Sequence, residues 1–191
     1  MSAKRQDIID TAIQLFGKHG FHATGIDRIA EEAKVSKKTM YHHFRSKEEL
    51  ILAALKQHDG LFRNFFMKSV KQVSESPEER LLGIFDVAQA WFSDNEFYGC
   101  IFINAIGEYS NRDTMIRKAC QDFKTQMAAF IEELVIAAEL KNVKAITSSL
   151  ALLLEGSIVT AQVSGDAEAA SHAKIAARVL IDAAHGPHEL S

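Results

Sequence analysis

Apolar residues at Ile8, Ile9, Ala12, Leu15 and Phe16 recur every three or four positions. That spacing lines one face of a helix and predicts a helix over about 4–18. Gly20 follows as a left-handed stop. Thr24 is expected to cap a second helix, with Asp27 three residues on as a partial capping box. Ile26, Ile29, Ala30 and Ala33 form the short apolar face of that helix, and Val35 reads as a buried turn residue. Ser36 caps a third short helix over 37–44 that turns Met40 and Phe44 inward. Ser46 and Glu49 then make a full capping box for a fourth helix. Helices of two turns joined by about three residues do not persist in water without tertiary packing. Small buried residues at steep helix crossings suit a helix-turn-helix.

Beyond Leu50 the period stays helical. The fourth helix is expected to pass Phe62, Phe65 and Phe66 and end near Val73. Ser76-Pro77-Glu78-Glu79 is a start signal, with N-cap, proline at the first position and acidic partner. Leu81, Ile84, Phe85, Ala88, Trp91 and Phe92 line the helix it opens. Asp94-Asn95 and Gly99 mark a loop, followed by a short apolar helix over 100–109. A helix over about 112–140 is expected to turn Met115, Ala119, Phe123, Met127, Phe130, Leu134 and Ile136 inward. Lys141-Asn142 breaks it. The next helix, 143–163, is apolar around much of its circumference and is expected to be buried on most sides. Ser164-Gly165 stops it, Asp166 caps the last helix, and Gly186-Pro187 ends that one. The fold class is therefore all-α: an N-terminal three-helix helix-turn-helix domain (1–47) and a C-terminal helical bundle (48–191). No repeat or low-complexity tract interrupts the chain.

Composition narrows the classes. With 47% apolar residues, two prolines and ten glycines, the 191-residue chain is expected to be a helical globular protein. No run of about 18 apolar residues suggests a membrane span. No signal segment is recognised, so a cytoplasmic location is expected. The two cysteines imply no disulfide framework. The net charge of −3 argues against a nucleic-acid partner until its distribution is considered. Residues 1–47 carry nine Lys and Arg against five Asp and Glu, whereas 48–191 carry thirteen against twenty. A basic head on an acidic body suits a molecule with only one end against phosphate.

The third helix is expected to expose Lys37, Lys38, Thr39 and His42, a surface of cations and a methyl-bearing hydroxyl suited to a major groove. The run from Thr24 to Leu50 resembles the DNA-binding domain of the TetR family of repressors. The match rests on Val35-Ser36, Thr39-Met40-Tyr41, His43-Phe44, Ser46-Lys47 and Leu50 at their observed spacing. With the first helix it covers about a quarter of the chain. The resemblance implies that Lys37, Lys38 and Thr39 reach base edges, that Tyr41 and His43 hold the DNA backbone, and that Lys47 meets a phosphate. It also implies that Thr24 caps a helix whose N-terminal amides accept another phosphate. Tyr41 as a plain packing residue stays open. One departure is Lys34, where the family usually has glycine; a left-handed lysine costs about 1–2 kcal/mol.

Small residues in the last two helices (Ala161, Ser164, Ala169, Ala170, Ala173, Ala176 and Ala177) permit close helix approach. Packing within the chain explains them as well as packing between chains. The resemblance implies that these helices form a four-helix bundle in a homodimer. It also implies a small-molecule effector in the body, whose binding lowers affinity for double-stranded operator DNA. Aromatic residues interspersed with polar ones make Phe66, Gln89, Trp91, Phe92, Asn104, Glu108, Phe123 and Glu155 candidate pocket residues. Cys100 opens a helix, where the dipole favours a thiolate; a redox role and a structural role both stay open. Adjacent His42 and His43 point different ways and lack companion ligands, so no metal or cofactor is expected. An enzyme finds no hydrolase, zinc-protease or P-loop motif, only Glu108 and Glu155 as a weak acid–base pair. A protein-binding module whose head has lost DNA function is favoured by Lys34 alone.

Overall fold

A computed structural model describes residues 3–109 and 114–185. Its helices are α1 (Ala3–His19), α2 (Ile26–Glu32), α3 (Lys37–His43), α4 (Lys47–Val73) and α5 (Pro77–Phe92), then α6 (Ile101–Glu108), α7 (Met115–Ala137), α8 (Val143–Ser164) and α9 (Ala169–Ala184). There is no strand among the described residues. The expected end at Gly186-Pro187 and the expected start of α7 at 112 lie outside them. The chain divides into two compact units. One is built from Met1–Phe62 and Cys100–Phe123, the other from Arg63–Gly99 and Lys124–Ser191. The division falls inside α4 rather than at its start, and α6 belongs with the head.

In the first unit, Ile8, Ile9, Ala12, Leu15 and Phe16 of α1 are buried as their spacing requires. Phe21 stacks on Phe16 with ring centroids 4.8 Å apart. Ile29, Ala30, Met40, Phe44, Leu50 and Ile51 complete the head core. Arg5 lies over the Phe44 ring at 4.9 Å, so α1 also covers the end of α3. Glu49 donates its amide to Ser46 Oγ at 3.2 Å. Its carboxylate accepts from Arg45 rather than from Ser46, one residue earlier than the standard capping box.

Thr24 departs from expectation. The N-cap of α2 is Gly25, with no side-chain cap bond. The Thr24 side chain is fully buried, and its hydroxyl donates to the carbonyl of Gly20 at 2.7 Å. It closes the end of α1 from within the loop. Lys34 does adopt the left-handed conformation, with φ 53°. Its amide donates to Glu31 O and the Val35 amide to Ala30 O, at 3.0 and 2.9 Å. This pair of bonds is a Schellman stop with lysine in the position that favours glycine. The end of α7 repeats the device with Glu139, φ 54°.

The second unit packs α5, α8 and α9 against one another. Ser76 caps α5 as the sequence indicates. In α7 the buried residues are Ile116, Cys120, Phe123, Met127, Phe130, Ile131, Leu134 and Val135. Met115 and Ile136, expected inward, are exposed: the buried stripe begins one residue later, at Ile116, and falls on Val135, one residue before Ile136. Helix α8 also departs from expectation. It buries Thr147, Leu150, Leu154, Ser157, Ile158 and Ala161, but leaves Leu152, Val159 and Val163 exposed. By length and composition it is apolar enough to cross a membrane, which the unbroken-run criterion did not reveal. The small residues Ala169, Ala170, Ala173 and Ala177 of α9 are buried inside the chain, whereas Ile175 and Val179 are exposed. Small residues thus serve the internal contact, and larger apolar ones face outward. Asp166 accepts from the Glu168 amide ahead of α9, whose N-cap is Glu168 itself.

Two predictions follow from local chemistry. Replacing Lys34 by glycine removes the left-handed penalty and is expected to raise the unfolding free energy by about 1 kcal/mol, measured by urea denaturation. His58 of α4 stacks on Phe62 and lies 5.8 Å from the Phe102 ring centroid. Burial there pushes it down to about 4, against a smaller upward pull from Asp59. The unfolded imidazole takes a proton near its ordinary 6.5, so stability is complete above that pH and falls as pH drops toward 4. The total loss is at most about 3 kcal/mol. Unfolding curves across pH 4–7 are expected to show this slope in the parent and a flatter one in His58→Leu.

Candidate nucleic-acid interface

Helix α3 is held from both ends. Ser36 Oγ accepts the Thr39 amide at 3.0 Å, and the Ser36 and Thr39 hydroxyls lie 2.8 Å apart. Met40 and Phe44 anchor its inner side, which fixes which residues face out. Lys37, Lys38, Tyr41 and His42 are exposed, while Thr39 and His43 are half-buried. Tyr41 is 52% exposed, so packing does not account for it. His42 and His43 meet edge to face at 5.1 Å, and no group of three or more metal-binding side chains occurs among the described residues.

Seven of the eight expected DNA-contact residues therefore have side-chain surface; Thr24 has none. Lys47, half-buried at the start of α4, reaches back to the carbonyl of His22 at 3.4 Å. The cations are not equivalent. Lys37 is paired with Asp27 of α2, with its ammonium 2.8 and 2.9 Å from the two carboxylate oxygens. Lys38 makes no ion pair or hydrogen bond among the described residues. On the far side of the turn, Arg28 donates to His19 at 2.9 Å. This contact requires a neutral imidazole, and desolvation together with the Arg28 charge lowers the His19 pKa.

Glu108 has a role that its neighbours in sequence do not reveal. It ends α6, and its carboxylate accepts the amides of Phe21 and His22 at 2.8 and 2.6 Å. His22 Nδ1 lies 3.1 Å from the same carboxylate, and Tyr109 stacks on the His22 ring at 4.9 Å. A Cβ at Gly20, φ 83°, would approach Glu108 Oε1 to 3.0 Å. One carboxylate thus satisfies the donors of the α1–α2 loop and clasps it to α6. No local pattern could have revealed this, because the residues are 86 and 87 positions apart.

The other pocket candidates sit in different settings. In the first unit, Phe123 stacks on Phe102 at 3.9 Å, and Asn104 is half-buried on α6. In the second, Phe66 is buried, and Trp91, Phe92 and Phe97 cluster with centroids 5.0 to 5.6 Å apart. Gln89 donates to Glu168 and accepts from Ser171, and Glu155 pairs with Lys124 at 2.5 Å. Glu108 and Glu155 are each engaged by other groups, so neither is poised as an acid–base pair. Cys100 and Cys120 are both buried.

Comparison with known proteins decides the family. The profile of bacterial regulatory proteins of the tetR family matches residues 8–54, and that of the tetracyclin repressor-like C-terminal domain matches 77–177. The chain belongs to the TetR family. Members of this family are DNA-binding transcriptional regulators, not enzymes. The crystal structure of SCO4454, a TetR-family transcriptional regulator from Streptomyces coelicolor, is similar over 95% of both chains. Its TM-score is 0.85 and its sequence identity 26%. Among curated relatives, the uncharacterized HTH-type regulator YerO of Bacillus subtilis is 39% identical over 43% of this chain and 28% of its own length. The HTH-type transcriptional activator FasR of Mycolicibacterium smegmatis is 34% identical over 53% of this chain and 46% of its own length. The chain thus matches less than half the length of either.

The Glu108 clasp generates a prediction for this TetR-family regulator. Glu108→Ala leaves two amides without their charged acceptor and is expected to cost about 2 kcal/mol. Glu108→Gln keeps one acceptor and is expected to cost about half as much. Urea denaturation gives both values. Amide exchange at Phe21 and His22 is expected to rise in step.

Proposed function

We propose that this regulator is an effector-released repressor that binds a palindromic operator as a homodimer in the cytoplasm. In this reading residues 1–47 supply the DNA contacts through Lys37, Lys38, Thr39, Tyr41, His42, His43 and Lys47. Residues 48–191 supply dimerisation and effector binding. The carrying observation is the apolar surface on the last two helices. Leu152 is 72% exposed, Val163 83%, Ile175 66% and Val179 64%. That much exposed aliphatic surface on neighbouring helices suits burial against a second copy. A single recognition helix reads too few base pairs for useful discrimination, whereas two related by a dyad read an inverted repeat. The effector reading is supported by family membership. Effector binding would favour a state in which the two heads are wrongly spaced for successive grooves.

Selection of bound duplexes from a random pool tests this directly. The expected result is an inverted repeat with half-sites about one helical turn apart, or a multiple of it. Val163→Glu combined with Val179→Glu is expected to give a folded monomer that no longer enriches that repeat. An enriched sequence without dyad symmetry, or unchanged binding by the monomeric variant, would reject the reading.

A further inference from the structure

The carboxylate of Asp27 sits in the first turn of α2, on the side of the head where Lys37 opens α3. It is 73% exposed and Lys37 is 62% exposed. An ion pair this open contributes little to stability, so holding the fold together does not explain it. An acidic group beside a phosphate-binding surface also opposes non-specific DNA. Both oxygens engage one ammonium, at 2.8 and 2.9 Å, which restricts a side chain that otherwise samples many rotamers. Asp27 also holds the Lys37 ammonium above its ordinary pKa, so Lys37 stays charged but is neutralised by its neighbour. Lys38, the next residue, has no such partner among the described residues.

We propose that Asp27 is a specificity-determining residue that acts by restraining Lys37. On arbitrary duplex the pair stays closed, and Lys37 releases no counterion. On the operator, base edges presented to α3 offer enough to open it: guanine O6 and N7 accept from the freed lysine. Discrimination rises because the non-specific mode loses one cation per head. This rests on the regulator reading but not on the dimer or the palindrome.

The test measures binding of the full chain to its selected sequence and to a scrambled duplex, at salt concentrations from 50 to 200 mM. With Asp27→Asn, the freed Lys37 is expected to steepen the salt dependence on scrambled duplex by about 0.9 per head. Binding to scrambled duplex tightens several-fold, operator binding changes less, and the ratio between the two falls. In a Lys37→Met background, Asp27→Asn is expected to leave the ratio unchanged. If Asp27→Asn shifts both duplexes equally, or lowers the ratio as much without Lys37 as with it, the proposal is overturned. Circular dichroism of each variant confirms that α2 and α3 are intact. If the parent prefers no sequence at all, the regulator reading fails instead, while the salt slope on scrambled duplex still reports on Asp27 and Lys37.

Discussion

A helix of seven residues has too few internal hydrogen bonds to survive in water, and both α2 and α3 are that short. They persist because Ile29, Ala30, Met40 and Phe44 are removed from solvent together with Phe16 and Phe21. The exposed face of α3 is a by-product of this burial. Once Met40 and Phe44 are committed inward, Lys37, Lys38, Tyr41 and His42 have only the outer face. Everything that tightens the head core, such as the Thr24 hydroxyl on the end of α1, also sharpens the direction in which these side chains point.

Carboxylates divide their labour around this head. Glu108 works inward, accepting two backbone amides that the α1–α2 loop cannot satisfy itself. The Phe21 amide is partly buried, and an unmet buried donor is more costly than an ordinary hydrogen bond is favourable, so this contact makes the loop depend on α6. Glu49 similarly quiets the amide of Arg45 ahead of α4. Asp27 works outward, against the exposed ammonium of Lys37. Carboxylates with different tasks thus meet at one end of the chain's fold, and net charge alone conceals the difference.

In the second unit the division is between small and large apolar residues. Ala170, Ala173 and Ala177 let α9 lie close within the chain, with Lys174–Asp86 at 2.6 Å and Arg178–Glu78 at 3.3 Å flanking the contact. Leu152, Val163, Ile175 and Val179 are left outside. Two of these sit on α8 and two on α9.

Local chemistry was legible in the chain itself. Periodicity located the helices, Ser36, Ser46 and Ser76 marked their starts, and Gly20 and Gly165 marked their stops, because these signals act over one turn. The motif around Val35 to Lys47 carried the family and the recognition helix for the same reason. What tertiary structure decided involves residues distant along the chain. It buried Thr24, which local pattern had placed as a cap. It shifted the inward stripe at both ends of α7, because a stripe on a long helix faces whatever neighbour is nearest. It exposed one side of α8, whose all-round apolar character could not say which side would stay exposed. It also set Glu108 against a loop 86 residues away, and a hydrogen bond between groups so far apart leaves no spacing to read.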